Sequence, residues 1–318
     1  MKKENDRTCY LCQASNLEVI RNKVRYDIKR NVLKCANCGI IYLEQKQINY
    51  EEYYKGDYRK IYSPNLGEEL TSKQLFDSLL PFQKYRVDIA KKLVGKGSDI
   101  CDLGCASGHF LHSMRDYVNE RVGIELNQAD FEFVDKELKI QVFNKPINET
   151  GLEVKKFDLI SSFHVLEHIE DPREFLINAR KYLKDSGYLL IEVPNVEDAL
   201  LSLYQNKEYE DFWYREPHIF NFSIKSLRDL MEQSGFSGEY HTIQRYNIFN
   251  HFNWLIKGEP QSKMEDGMSD INIVHNSEND GLKNKFIEFF KKIDNDYKQL
   301  LNEHNLGDSI VFIGKKID

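Results

Sequence analysis

The sequence predicts an α/β chain: a mostly parallel sheet with helices on both faces, a small cysteine-held module ahead of it, and a helical cap inserted before the last strand. Three observations carry this expectation. From residue 98 onward, apolar runs of strand length alternate with helical stretches, as in a parallel sheet covered on both faces. Two Cys-x-x-Cys pairs, Cys9/Cys12 and Cys35/Cys38, stand near the start. A long polar and helical stretch separates the rest from a closing apolar run, "SIVFIGKKI".

With 318 residues, 41% of them hydrophobic, the chain has material for about two domains. "MKKENDRTCY" lacks the apolar run of a signal peptide, and no window approaches the ~18 apolar residues of a membrane span. The expectation is a soluble cytoplasmic protein. A net charge of −7 speaks against a chain built mainly to hold nucleic acid. That charge is uneven, because residues 1–35 carry nine Lys/Arg against four Asp/Glu.

The first element in order is the module of residues 1–45. In a reducing compartment, paired cysteines at this spacing bind metal more often than they form disulfides. Each knuckle offers two sulfurs to one tetrahedral ion, and Gly39 lets the second turn close tightly. Between them "VIRNKVRYDIKRNVLKC" alternates loosely, as zinc-ribbon strands would. Cys9, Cys12, Cys35 and Cys38 leave no coordination position open, so the Zn2+ expected here is structural.

Residues 46–97 read as a helical connector or lid. A tyrosine cluster (Tyr50, Tyr53, Tyr54, Tyr58, Tyr62) and a turn at Pro64–Gly67 precede helical periodicity from about Thr71 to Val94. The apolar faces of that stretch read as packing.

Residues 98–245 form the core: "SDICDL", helix 109–118, "RVGIEL", helix 128–138, "IQVF", "FDLISSF", helix 172–184 and "GYLLIEV". Ligands of such sheets bind at the carboxyl ends of the strands, where the turn after Asp102 lies. A dinucleotide site would read G-x-G-x-x-G. Here those positions hold Gly104, Ala106 and His109, which favours a nucleoside without a pyrophosphate. Glu125, closing the second strand, suits ribose hydroxyls.

"ICDLGCASGHF", "VGIELN", "FDLISSFHVLEHIEDP" and "LKDSGYLLIEVPN" resemble the successive motifs of class I S-adenosylmethionine-dependent methyltransferases. The resemblance covers about residues 85–240. It implies a seven-stranded Rossmann-like sheet and S-adenosyl-L-methionine as cofactor. By position, the Gly104–Gly108 turn would approach the methionine part and Asp102 its ammonium, while Glu125 would hold the ribose. Phe163 and His164 would line the cleft near the sulfonium, and the adenine contact would fall around Pro146 and Ile147. Ala106 stands where the family has a third glycine; alanine fits there if its backbone dihedrals are ordinary.

Methyl transfer is an in-line displacement that requires an aligned acceptor and, for an alcohol, removal of its proton. Histidine suits that task, and three are candidates: His164 and His168 in "HVLEH", and His218 in "EPHIFNFS". His218 is the expected base, on a loop ahead of a helix capped by Ser223 and closed by Gly235, with Trp213, Tyr214 and Glu216 shaping the acceptor pocket. Residues 246–318 read as a cap with a polar loop over 259–281, a helix and the closing strand. The cap would cover the acceptor or make a homodimer contact. Its Asn247, Asn250 and His251 are either substrate contacts or packing.

The cysteine module, the "PHIFNFS" segment and the "NHFNWLIKGEP" cap together resemble methyltransferases of bacterial surface-polysaccharide and deoxysugar pathways. The sugar C-methyltransferases among them carry an adjacent Glu-His pair in this loop. Here Pro217 separates Glu216 from His218, which favours O-methylation of a sugar, nucleotide sugar or glycan precursor. Two other readings stand beside this one: a nucleic-acid methyltransferase gripping phosphates with its basic ribbon, and a cofactor-binding scaffold without catalysis.

Overall fold

The strands of the core lie where the alternation of apolar runs and helical stretches places them. The computed structural model describes residues 8–44, 69–261, 263–271 and 279–317. Its strands in chain order are β1 (Leu17–Val24), β2 (Ile28–Cys35), β3 (Ile41–Leu43), β4 (Asp99–Leu103), β5 (Glu120–Ile124), β6 (Gln141–Phe143), β7 (Phe157–Phe163), β8 (Leu183–Pro194), β9 (Phe220–Asn221), β10 (Phe236–Ile243) and β11 (Ser309–Lys316). Seven of them form one sheet in the order β10-β11-β8-β7-β4-β5-β6. Neighbouring pairs from β8 through β7, β4 and β5 to β6 are parallel, whereas β11 runs antiparallel to β8 and β10. Ile100, Leu159, Ile160, Leu189 and Ile191 have no exposed surface. Each contributes roughly 1.5–3 kcal/mol of hydrophobic stabilisation.

The helices are α1 (Ser72–Leu79), α2 (Lys84–Leu93), α3 (His109–Ser113), α4 (Gln128–Lys136), α5 (Pro172–Tyr182), α6 (Ala199–Ser202), α7 (Lys207–Trp213), α8 (Ile224–Gln233), α9 (Ile248–Lys257), α10 (Met264–Met268) and α11 (Asp280–Glu303). Their starts follow the sequence closely. Asp171 caps α5 by accepting the Glu174 N–H, with Pro172 in the first helical position, where its missing N–H costs nothing. Ser223 and Ser226 make a reciprocal capping box on α8, and Gly235 follows that helix with φ +80°.

Several boundaries differ from the expectation. The single helix expected over Thr71–Val94 is two helices joined by a 3-10 turn, Leu80–Gln83. Pro81 is the cause, since it has no N–H to continue the α-helical ladder. The helix expected to reach residue 118 ends at Ser113, and turns follow through Tyr117 as Met114 and Val118 drop into the core. Within the polar stretch 259–281 lies the short helix α10. Tyr50, Tyr53, Tyr54, Tyr58, Tyr62 and the Pro64–Gly67 turn lie outside the described residues.

The second sheet matters more for the site. Its order is β1-β2-β3-β9, so three strands of the cysteine module are joined by a strand from the loop after β8. Ile41 pairs with Asn221 and Tyr42 with Phe220. Cys9, Leu11, Cys35 and Cys38 share one buried cluster with Leu230, Phe236 and Phe312. Among the described residues, no helix is long and apolar enough to cross a membrane.

Candidate active site

The register of three strands sets the candidate site. Asp102 on β4 stands opposite Ser161 on β7, and Leu103 opposite Ile124 on β5. Their carboxyl ends therefore place Asp102, Glu125 and the Phe163–His164 pair along one edge of the sheet, where ligands of such folds enter.

Asp102 is only 2% exposed and accepts a hydrogen bond from Ser161 Oγ at 2.7 Å. Burial raises its pKa to about 7, the Glu125 charge adding to this and the Ser161 hydrogen bond opposing it. A carboxyl held at the edge of ionisation in a dry site has much to gain from a cationic ligand. Glu125 accepts the backbone N–H of Ala106 at 2.8 Å and that of Asn127 at 2.7 Å, one on each oxygen. A carboxylate so placed at a strand end is an acceptor of the kind that suits a diol.

Between the two acids the chain makes a left-handed turn, with φ +75° at Gly104, +47° at Ala106 and +76° at Gly108. A Cβ on Gly104 would lie 2.4 Å from Val165 Cγ2, so glycine is obligatory there. Ala106 corrects an expectation. Its dihedrals are not ordinary but left-handed, a region where a Cβ crowds the following carbonyl. The Ala106–Glu125 hydrogen bond helps to hold it there.

Beyond this turn lies a charge network that the sequence reading missed. Glu192, 1% exposed on β8, receives Arg86 Nε and Nη2 at 2.8 and 2.9 Å and His164 Nε2 at 2.8 Å. Tyr85 Oη donates to it as well. Burial works against ionisation of Glu192, but Arg86 and His164 outweigh it and hold its pKa well below the usual carboxylate range. Arg86 also lies over the Phe163 ring at 4.3 Å, and Phe163 packs edge-on against Phe110 at 4.8 Å. An acid inside the apolar run "YLLIEVP" was a visible signal of this network. Arg86, on an amphipathic helix, gave none.

The histidines differ sharply. His164 has φ +57° and keeps 23% of its side chain exposed. His168 donates from Nδ1 to the Pro217 carbonyl at 2.8 Å. His218, the expected base, is 4% exposed, and its Nε2 accepts from Arg215 Nε at 2.9 Å and Nη2 at 2.5 Å. Burial and the Arg215 charge push its pKa well below 6.5, so its ring is neutral with one lone pair already covered. Asn247 caps α9, and His251 bonds Tyr297 within the cap and Gln244 just ahead of it.

The four N-terminal cysteines converge, with Sγ–Sγ distances of 3.6 Å for Cys9–Cys38 and for Cys12–Cys35. A tetrahedral ion with about 2.3 Å bonds to sulfur needs edges of roughly 3.8 Å, so the donor set fits zinc. The cluster is tied to the loop bearing His218. Lys225 donates to the Cys38 carbonyl at 3.1 Å, and the Leu43 N–H to the Ile219 carbonyl at 2.8 Å. The Tyr10 hydroxyl reaches Asp171 at 2.5 Å.

A family model described as a methyltransferase domain matches residues 72–241, just over half of the chain. The chain belongs to this methyltransferase family. The match takes in both acids, the left-handed turn and all three histidines. An uncharacterized protein of Methanocaldococcus jannaschii is 21% identical to this methyltransferase over 51% of the chain and 75% of its own length. A probable S-adenosylmethionine-dependent methyltransferase of Mycolicibacterium smegmatis is 23% identical over 45% of the chain, which spans about half (53%) of that relative. A solved S-adenosylmethionine-dependent methyltransferase from Archaeoglobus fulgidus superposes with a TM-score of 0.50 at 18% identity, covering 77% of this chain and 97% of its own. That likeness supports the fold. The enzyme is thus an S-adenosylmethionine-dependent methyltransferase with a Rossmann-like sheet.

Proposed function

We propose that this methyltransferase methylates a hydroxyl of a sugar, nucleotide sugar or glycan precursor, and that its four N-terminal cysteines hold a structural zinc. S-adenosylmethionine brings the methyl group as a sulfonium. The observation that carries the placement of the cofactor is the pair of acids on adjacent strand ends with a left-handed turn between them. Asp102 supplies the buried counter-charge for the ammonium, and the turn admits the methionine part. Glu125 accepts from the ribose hydroxyls, and Phe163 with His164 borders the sulfonium.

Proton removal falls to His164 in this reading. Glu192 holds the ring through Nε2, and Nδ1, 3.5 Å from Glu167 Oε1, is the nitrogen that would take the acceptor's proton. His218 and His168 then shape the acceptor wall. A sugar acceptor is supported by the resemblance of the cysteine module and the "EPHIFNFS" segment to polysaccharide-associated methyltransferases. It is supported further by their pairing through β3 and β9. The break in the Glu-His pair at Pro217 favours oxygen over carbon.

The test is to incubate the protein with methyl-labelled S-adenosylmethionine and an extract of its source cells, then fractionate. Label in nucleotide sugars or glycans is the expected result. Label in RNA or DNA, lost steeply as salt rises, would overturn the sugar reading in favour of the basic N-terminal arm. Bound cofactor with no label in any fraction would favour a scaffold.

A further inference from the structure

The long helix α11 turns one stripe of side chains toward the protein and a second, apolar stripe toward solvent. On the inward stripe, Phe290 packs on Phe249 of α9 at 6.0 Å, Tyr297 bonds His251 at 2.6 Å, and Asp294 accepts the Ile248 N–H at 2.7 Å. Leu301 of the same stripe is buried. The outward stripe holds Leu282, Phe286, Phe289, Ile293 and Leu300, and all but Ile293 are about half exposed. Steps of four and three residues alternate from Leu282 to Leu300, with Asp296 at the single polar position. That is the spacing of a coiled-coil seam.

The bare stripe continues onto α9. Phe289 meets Phe290 at 5.4 Å, and beyond Phe290 the ring of Phe249 meets Phe252 at 6.4 Å. Ile256, one turn further, is 80% exposed. Phe252, Phe286 and Phe289, each about half exposed, leave roughly 100 Å² apiece to bury. Leu255, Ile256, Leu282 and Leu300 extend the patch to the several hundred Å² that marks an interaction surface.

Charge decides what fits this surface. Lys285, Lys292, Asp296 and Glu303 are all exposed, and at 3.6 residues per turn they fall within about 40° of one line beside the seam. Two cations are followed by two anions, spaced symmetrically about residue 294. A second α11 laid antiparallel sets Lys285 of one copy against Glu303 of the other, and Lys292 against Asp296. A twofold axis makes each pairing twice. The same register seats Phe289 of one copy on Leu300 of the other. Parallel packing would stack like charge on like, and an anionic lipid surface would match only the basic half.

We propose that the outward stripe of α11 is a self-association surface, covered by the antiparallel α11 of a second copy of this chain. The proposal is independent of the acceptor and of the cofactor's placement. Its test is sedimentation velocity of the full chain, which should be dimeric at about 10 µM, within the range that interfaces of ordinary size reach. Phe289→Asp, at an exposed position, should weaken association at least about thirtyfold. Lys292→Asp and Asp296→Lys should each weaken it about fivefold or more, whereas the chain carrying both changes should regain near wild-type association. That recovery belongs to the antiparallel pair and cannot come from misfolding. A monomeric wild type, a dimer indifferent to Phe289→Asp, or a double variant that fails to recover would each overturn the proposal. Flotation with phosphatidylserine-containing vesicles, lost in Phe289→Asp while the free protein stays monomeric, would overturn it in favour of a lipid surface.

Discussion

Asp102 illustrates how a single burial sets a measurable property. Burial raises its carboxyl pKa to about 7, and in the proposed cofactor site only the ionised form would attract the ammonium. Because this pKa is raised, the group is increasingly protonated as pH falls through 7, and binding must then expel a proton. Cofactor affinity should decline below pH 7 by up to about tenfold per unit, with proton release detectable by calorimetry in buffers of different ionisation enthalpy. Flat affinity between pH 5 and 7 would contradict the assignment. Arg86→Met tests the neighbouring network, since it leaves the Glu192 charge buried and short of its main partner. The expected loss is about 3–5 kcal/mol of stability, measured by urea unfolding. Ala106→Gly should act in the opposite direction. Removing the Cβ at φ +47° relieves on the order of 1 kcal/mol of strain, visible as a rise in the melting temperature. At this scale the sequence was legible where chemistry repeats a pattern: Asp102, the glycine turn, Glu125 and the cysteines were all readable. Arg215 on His218 and Arg86 on Glu192 were not, because residues three apart across a turn, or 106 apart in sequence, meet only once the fold is made.

The elements themselves follow local rules wherever a cap or a proline speaks. Asp171–Pro172, Ser223 and Pro81 each mark a boundary with a physical reason, whereas the end of α3 depends on Met114 and Val118 finding the core, which no local signal records. The two-residue strand β9 was hidden for the same cause. Phe220–Asn221 has no strand signature beyond its aromatic flanks, and it pairs only because β3 offers an edge. That pairing makes the cysteine module a support for the loop that carries His218 rather than a separate appendage. Stripping the zinc proposed for the four cysteines with a chelator, or replacing Cys35 by Ser, should therefore loosen the Arg215–His218 loop while leaving Asp102 and Glu125 in place. Methyl transfer should fall by about tenfold or more while cofactor affinity stays nearly constant, as a paired activity and calorimetry measurement would show. Equal loss of both would mean that the module supports the whole sheet and not the loop.

For the whole molecule, the arrangement is a division of labour along one edge of a sheet. The strand ends β4 and β5 carry the groups suited to the cofactor, and β7 and β8 carry the histidine–glutamate pair. A loop fastened to the cysteine module brings His218 against His168 of the turn after β7. The cap from α9 to α11 buries its own polar residues, Asn247, Asn250 and His251, and presents Leu282, Phe286 and Phe289 outward at about half exposure. The central claim is the placement of the cofactor, and calorimetric titration of S-adenosylmethionine into the wild type, Asp102→Asn and Glu125→Gln tests it most directly. Both variants should bind at least about tenfold more weakly, as expected for a charge-assisted contact of 1.5–3 kcal/mol, with the metal content of the cysteine cluster unchanged. Wild-type affinity in both variants would contradict the account and move the cofactor off the β4–β5 edge.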